Sequence, residues 1–432
     1  MPPPSGIPKS PRALRDADLG RRDYGALNKR QKRIDDMRMK TGSAFLLASA
    51  LVCGATAARA APPAESTAWQ GVWRGTIGGA AVQVCLQHTD YNDFGAYYYM
   101  RHLQIISLGK LDRKAGAPAG PTWTEAPFSD KADKGPLWHI TAVGKGRIDG
   151  VWTDGGKSLP IALTAVARDT PAKGDDDQPC GSQAFSGPRF TKPVVTTRPA
   201  KIDGIAYNRV LVDIGKQFTD SGFETFQLLG TTPAIRRINA ELYKDVPTGP
   251  DHADYFQCTM AALGQNGLDG DTTSTLSPET LTPSFMVEAD SESDDCGGAH
   301  PNADTSYRTW DLRTGTKIDL YGGFTKAALT RTVHDAGTKN AYDEVTLTPA
   351  FKAMVLAAFP ADDPDCKEAV ATADNWAARL TPQGVAFTPA LPHVVAACID
   401  DAVIPFAKLA PFLTADGKAF AALFQAETKG RK

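Results

Sequence analysis

Long hydrophobic runs are missing from this 432-residue chain. One uncharged stretch near the N-terminus, Thr41 to Ala58, is solidly apolar only at Ala44–Ala48 and Leu51-Val52. That falls short of the roughly 20 apolar residues a membrane-spanning helix needs. Catalytic and metal signatures are equally sparse. There is no G-x-S-x-G and no H-E-x-x-H, and the seven histidines (His88, His102, His139, His252, His300, His334, His393) are scattered. No two cysteines stand at the C-x₂₋₄-C spacing of a zinc site. Asp269-Gly270-Asp271 opens like a calcium loop, but Ser274 stands where the turn glycine belongs and Thr280 where the bidentate carboxylate belongs. Gly150–Ser158 superficially resembles a phosphate loop, yet its first glycine is one position early and a strand follows, so a hairpin turn is the better reading. Ser107-Leu108-Gly109-Lys110 is too short a pattern to mark a nucleophile, because it closes a strand instead of opening a helix. No cofactor, no metal and no catalytic residue is therefore expected, and no repeat of solenoid length is present.

What is present is ordinary globular material, 42% hydrophobic and 22% charged, with 39 Gly and 31 Pro. The formal charge of −2 is an average over unlike ends. Met39-Lys40, the short apolar centre and Ala58-Arg59-Ala60 read as a secretory signal cleaved near 60/61, preceded by an N-terminal extension. Val52 before Cys53 disfavours lipoprotein processing, and Arg21-Arg22 stands too far upstream for a twin-arginine signal. Residues 1–60 hold 12 Lys and Arg against 5 Asp and Glu. The remainder then carries 35 basic and 44 acidic residues, a formal −9. A periplasmic or secreted acidic protein is expected, one that attracts cationic partners and repels nucleic acid, with no stable membrane span.

Removal of Cys53 leaves Cys85, Cys180, Cys258, Cys296, Cys366 and Cys398. An even count in an exported chain points to three disulfides. Fifteen pairings are possible; the most local set is Cys85–Cys180, Cys258–Cys296 and Cys366–Cys398, each bridge contributing about 3 to 5 kcal/mol in the loop-entropy picture.

Between residues 66 and 167, strand-length runs recur at short intervals with glycines between them: Gly71–Gly75, Val82–Leu86, Tyr97–Tyr99, Ile105–Leu108, Trp138–Ile140, Gly150–Trp152 and Leu159–Leu163. This predicts an all-β domain, a small antiparallel barrel or sandwich of about seven or eight strands. Alternation places Val82, Val84 and Leu86 on a core face and Gln83, Cys85 and Gln87 on a wetter one. Residues 168–200 read as a Pro-rich polar linker pinned by Cys180. Residues 201–432 mix element types and predict an α+β domain with an antiparallel sheet. Ile235, Ile238 and Leu242 form one helix face after Pro233, and Phe351–Phe359 and Lys367–Leu380 also read as helical. Phe285–Val287, Tyr307–Trp310, Lys317–Leu320 and Val385–Phe387 read as strands.

Glu288, Asp290, Glu292 and Asp294 follow the apolar Phe285-Met286-Val287 at two-residue spacing. If that strand continues, four carboxylates share one face and call for water, cations or a basic partner. Next comes Cys296-Gly297-Gly298-Ala299-His300-Pro301-Asn302, a tight bend, and then Trp310-Asp311-Leu312-Arg313-Thr314-Gly315-Thr316-Lys317-Ile318-Asp319-Leu320. These segments resemble the extracytoplasmic domain of unknown function shared by RsiV-type anti-sigma factors and PdaC-type peptidoglycan deacetylases. Its hallmark is Gly-Gly-Ala-His-Pro/Gly-Asn followed by a strand ending Asp-Leu-x-Thr-Gly-x-x-Ile/Leu-x-Leu. The match is best over 281–324, with a looser fit from Ile235 to Ile404-Pro405-Phe406-Ala407-Lys408-Leu409.

The resemblance implies binding more than catalysis. RsiV-type receptors bind lysozyme through this domain. PdaC-type enzymes carry catalysis in a separate deacetylase domain whose metal-binding motifs this chain lacks. The candidate binding residues are therefore Glu288, Asp290, Glu292, Asp294, Gly297, Gly298, His300 and Asn302. The expectation is a non-enzymatic envelope protein that binds peptidoglycan or a cationic protein such as lysozyme. The alternatives are an envelope hydrolase that pairs His300 with Asp294 or Asp295, and a purely structural interaction module; oligomeric state is left open.

Overall fold

The computed structural model describes residues 67–112, 120–129, 131–169, 177–247, 253–335, 342–360 and 363–429. The signal and cleavage site expected within 1–60 lie outside the described residues. Everything described falls in one unit, 65–432.

The first eight strands are β1 (Gly71–Ile77), β2 (Ala80–His88), β3 (Asp93–Tyr99), β4 (Ile106–Leu111), β5 (Thr122–Thr124), β6 (Leu137–Gly144), β7 (Arg147–Asp154) and β8 (Lys157–Ala165). They pair consecutively, and β8 closes antiparallel on β1 to form a barrel. Glycines make the reversals possible. Gly155 and Gly156 both take positive φ, 51° and 83°, the two-residue turn that matches strand twist in the β7–β8 hairpin. The interior is filled by Trp73, Val82, Val84, Leu86, Tyr97, Trp123, Trp138 and Ile148, with Trp69 packed edge-on against Trp123 at 5.0 Å.

After the barrel come the single helical turn α1 (Gln183–Ser186) and strands β9 (Val194–Ile202), β10 (Ile205–Asp213) and β11 (Gly222–Leu228). Helices α2 (Pro233–Leu242) and α3 (Ala253–Asn266) lead to β12 (Asp271–Leu281), β13 (Phe285–Asp295), β14 (Asn302–Asp311) and β15 (Thr316–Ile318). These strands make one sheet in the order β15-β14-β13-β12-β11-β10-β9. Only β11 and β12 run parallel, and the two helices supply the crossover that parallel pairing requires. Thr232 caps α2, accepting from the Ile235 amide, with Pro233 in the first turn. Ile238 and Leu242 then pack on Phe226, Met286 and Trp310.

The C-terminal part holds the β16 (Leu329–His334)–β17 (Tyr342–Leu347) hairpin, helices α4 (Pro349–Ala358) and α5 (Pro364–Ala371), and the sheet β18 (Trp376–Thr381)–β19 (Gly384–Pro389)–β20 (Ala402–Pro405). The turn α6 (Phe406–Leu409) and helix α7 (Ala415–Thr428) complete it. Its core, including Phe324, Phe351, Phe387 and Phe424, reaches Phe285 and Val287 on β13. The disulfides are Cys85–Cys180, Cys258–Cys296 and Cys366–Cys398.

Three expectations change. The helix expected over Lys367–Leu380 ends at Ala371, and Trp376–Thr381 is a strand, because Trp376 and Leu380 face the core while Ala377 pairs with Thr388 of β19. The span expected as linker contains α1 and most of β9. The wetter face of β2 is dry: Gln83, Cys85 and Gln87 are at most 1% exposed. They are buried because the rest of the chain docks there. The amides of Gln83 and Gln87 donate to the carbonyls of Ala184 (2.7 Å) and Gly264 (2.6 Å), and Cys85 bonds Cys180.

Arg189 closes this seam and is fully buried. Its Nε donates to the Leu103 carbonyl of the barrel at 2.8 Å, and its two terminal nitrogens engage Asp269 in bidentate fashion. The plane lies over the Phe218 ring at 4.8 Å, and the Gln217 amide donates to the Arg189 carbonyl at 2.6 Å. Arg189→Ala is expected to lower unfolding stability by about 3 to 5 kcal/mol, since it strands Asp269 beside an apolar hole. Arg189→Lys should recover only part, because it lacks the fork. Urea unfolding of both variants checks this; a loss within error for the alanine variant would contradict it.

Candidate functional site

The hairpin β13–β14 and its neighbour β12 carry the candidate residues. Register pairs Glu288 with Arg308, Asp290 with Ser306, Glu292 with Asp304 and Asp294 with Asn302. The strand does continue to Asp295, so the four carboxylates share a face. Their environments are unlike. Glu288 is 1% exposed; it accepts from the Trp310 indole at 2.6 Å and pairs with Arg308 at 2.9 Å. Burial nevertheless holds its carboxyl above the ordinary value, against the pull of Arg308 and Trp310. Arg308 also ion-pairs with Asp290. The inner half of the row is thus compensated within the protein.

The outer half is not compensated in this way. Glu292 is exposed and faces Asp304, also exposed, directly across the ladder. Partial burial, then Asp290 and Asp304, push the Glu292 carboxyl up, with Asp245 adding to the effect and Arg308 opposing it. At the end of β12, Asp271 is pushed up by burial and then by Asp295, Asp220 and Asp294. Sequence reading missed Asp220, Asp245, Asp271 and Asp304. Asp304 was within reach, since a hairpin folded at Gly297-Gly298 pairs it with Glu292. The others arrive from separate elements.

The bend is built around one obligatory glycine. Gly297 has φ of +84°, and a Cβ there would stand 2.6 Å from the Ala262 backbone of α3. Its amide donates to Asp295 at 3.1 Å, and the Cys258–Cys296 disulfide fastens α3 beside it. Gly298 keeps negative φ and has open space around it, so its role is less constrained. The Asn302 amide donates to Asp294 at 3.2 Å, tying the strand ends. His300 is exposed in the turn. Cys258, Asp294 and Cys296 gather near one another, but the two sulfurs are bonded together and offer no thiolate to a metal.

A cavity of about 290 Å³ opens elsewhere, between β13 and α7, walled by Phe285, Phe324, Phe406, Phe420 and Leu413. Two charges at its rim are paired together: Arg313 binds Asp311 at 2.7 Å and holds that carboxyl below its ordinary range. His300 does not line it.

No protein-family model matches the chain, and no curated protein matches it. Among solved structures, a DUF3298 family protein from Pseudomonas aeruginosa PAO1 is similar at 14% identity and a TM-score of 0.32, over 52% of this chain and 96% of its own. A DUF3298 family member from Bacteroides fragilis NCTC 9343 is similar at 12% identity and a TM-score of 0.34, over 55% of this chain and 96% of its own. Among the described residues, no helix is long and apolar enough to cross a membrane.

Raised carboxyls bind protons more tightly in the folded than in the unfolded chain. The stability they confer is fully present below the ordinary carboxylate range near pH 4 and is lost as pH rises through the raised values. Glu292→Gln and Asp271→Asn are therefore expected to stabilise the protein at pH 7 by about 0.5 kcal/mol each, with no gain at about pH 3. Urea midpoints at the two pH values measure the difference; a gain that persists in acid would assign it to something other than charge.

Proposed function

We propose that the chain is an exported, non-enzymatic binding protein of the cell envelope whose acidic sheet end receives a cationic protein, with lysozyme the candidate. In this reading residues 66–167 and 201–432 are two domains, the second carrying the site. The observation that carries it is the pair Glu292–Asp304, like charges facing across one ladder while the neighbouring Arg308 is already engaged by Glu288 and Asp290. Directly opposed like charges destabilise a sheet, and a basic partner relieves that repulsion. The formal −9 from residue 61 onward adds long-range attraction to any basic protein. A hydrolytic reading gains nothing from Asp294 and Asp295, whose side chains accept from Asn302 and the Gly297 amide.

Lysozyme is expected to bind the exported chain at about 0.01 M salt and to be released near 1 M, where screening shortens the Debye length to about 3 Å. The double variant Glu292→Lys/Asp304→Lys should weaken binding by about tenfold or more, as two charge reversals each costing about 1 kcal/mol would. Calorimetry at both salt concentrations, with muropeptides as a parallel arm, tests the reading. Lysozyme binding unaffected by the reversals would move the site elsewhere, and absence of lysozyme binding at low salt would refute the cationic partner.

A further inference from the structure

A second carboxylate, far from the acidic sheet end in sequence, is held by donors from three strands of the barrel. Glu125 follows the short strand β5. Its Oε1 accepts from the Tyr97 hydroxyl of β3 (2.7 Å), the Trp138 indole of β6 (3.0 Å) and the Trp152 indole of β7 (2.7 Å). Three donors from three strands converge on one oxygen. Among the described residues, no donor reaches Oε2. A carboxylate offers acceptor sites on both oxygens, so Oε2 keeps its capacity for water or a ligand.

Glu125 lines a groove of about 520 Å³ together with Ile105, Ile106, Ser107, Pro127, Phe128 and Leu268. The groove lies between the barrel and the loop that follows α3, where the Ser107 hydroxyl donates to the Gly267 carbonyl at 3.1 Å. Its walls combine polar and apolar surface, and two of the apolar side chains stand open to water: Phe128 is 74% exposed and Leu268 37%. No Lys or Arg is among the described residues that line it. The nearby Lys110 is engaged by Asp93 at 2.7 Å.

We propose that this groove binds a primary ammonium group on an apolar stem, with Glu125 as its counter-charge. The oriented carboxylate offers a charge-assisted hydrogen bond, and the Phe128 ring face attracts the same cation. The Ile105, Ile106 and Leu268 side chains offer the stem an apolar wall beside the carboxylate. An anion is repelled, and a neutral alcohol gains only the apolar part. A free amine and a lysine side chain share this chemistry. The inference goes beyond the sheet-end reading and uses none of its residues.

The test titrates the full chain with pentylammonium, pentanol, pentanoate and a doubly capped lysine, read by calorimetry and by indole fluorescence, since Trp138 and Trp152 report on Glu125 directly. Pentylammonium should bind, pentanol about tenfold more weakly and pentanoate not measurably. Tighter binding of capped lysine than of pentylammonium would identify a peptide as the source, and the reverse order a free amine; either result supports the site. Glu125→Gln keeps an oxygen for the three donors and removes the charge, so the thermal transition should persist while ammonium affinity falls about tenfold. Phe128→Ala, at an exposed position, should fold normally and weaken binding several-fold. Equal affinity for pentylammonium and pentanol, or unchanged ammonium affinity in either variant, would overturn the proposal. The variant Glu292→Lys/Asp304→Lys should bind pentylammonium as the parent does, which separates failure here from failure of the sheet-end reading.

Discussion

The buried guanidinium of Arg189 joins the barrel to the turn that leads into the seven-stranded sheet. A charge removed from water is tolerated only when its donors are met, and Arg189 meets them from both sides of the seam. Leu103 supplies a carbonyl from the barrel, and Asp269 supplies a carboxylate from the turn before β12. Leu103 has φ of +63°, a conformation unfavourable for a branched side chain that presents its carbonyl to Arg189. Asp269 stands two residues before Asp271, the first residue of β12, so the contact lies next to the strand that borders the acidic end.

Around that contact the seam is dressed with groups that would otherwise need water. Tyr98 donates to the Phe185 carbonyl at 2.6 Å, Gln87 to Gly264, and the Cys85–Cys180 bridge joins strand β2 to the segment before α1. Such pairing gives the interface directionality that apolar packing alone lacks. On the same helix, the Cys258–Cys296 bridge holds the β13–β14 bend against α3. The repulsion between Glu292 and Asp304 costs at most about 1 kcal/mol. A bend closed covalently and packed on Ala262 absorbs that cost without fraying.

What the sequence made legible follows from periodicity and local chemistry. Glycine-punctuated β runs pointed to seven or eight strands where the structure has eight, and the local cysteine pairs are those the structure joins. Where tertiary contacts decide, pattern failed for physical reasons. Gln83 and Gln87 look like solvent-facing positions because an amide is equally at home in water or on a backbone carbonyl. Trp376–Leu380 has helical composition but lies beside β19, whose pairing wins over propensity. Arg189 sits in a Pro-rich polar stretch where nothing marks it as a buried cation. The acidic row was readable as a row, whereas its division into compensated and open halves depends on Arg308, twenty residues after Glu288 along the chain and opposite it across the ladder.

Glu125 and Glu288 show why residue type alone could not assign roles. Both carboxylates accept from tryptophan N–H groups. Glu288 is sealed from solvent and neutralised by an arginine placed directly across its ladder, so its charge is spent inside the protein. Glu125 receives its donors on one oxygen only, from neutral groups, beside an open groove that no described basic side chain lines. Neutral donors orient a carboxylate without cancelling its charge, whereas a salt bridge does both. The distinction between a structural carboxylate and one available to a ligand thus rests on whether a cation of the fold has already reached it. By that criterion Glu288 and Asp290 belong to the fold, and Glu125, Glu292 and Asp304 face outward.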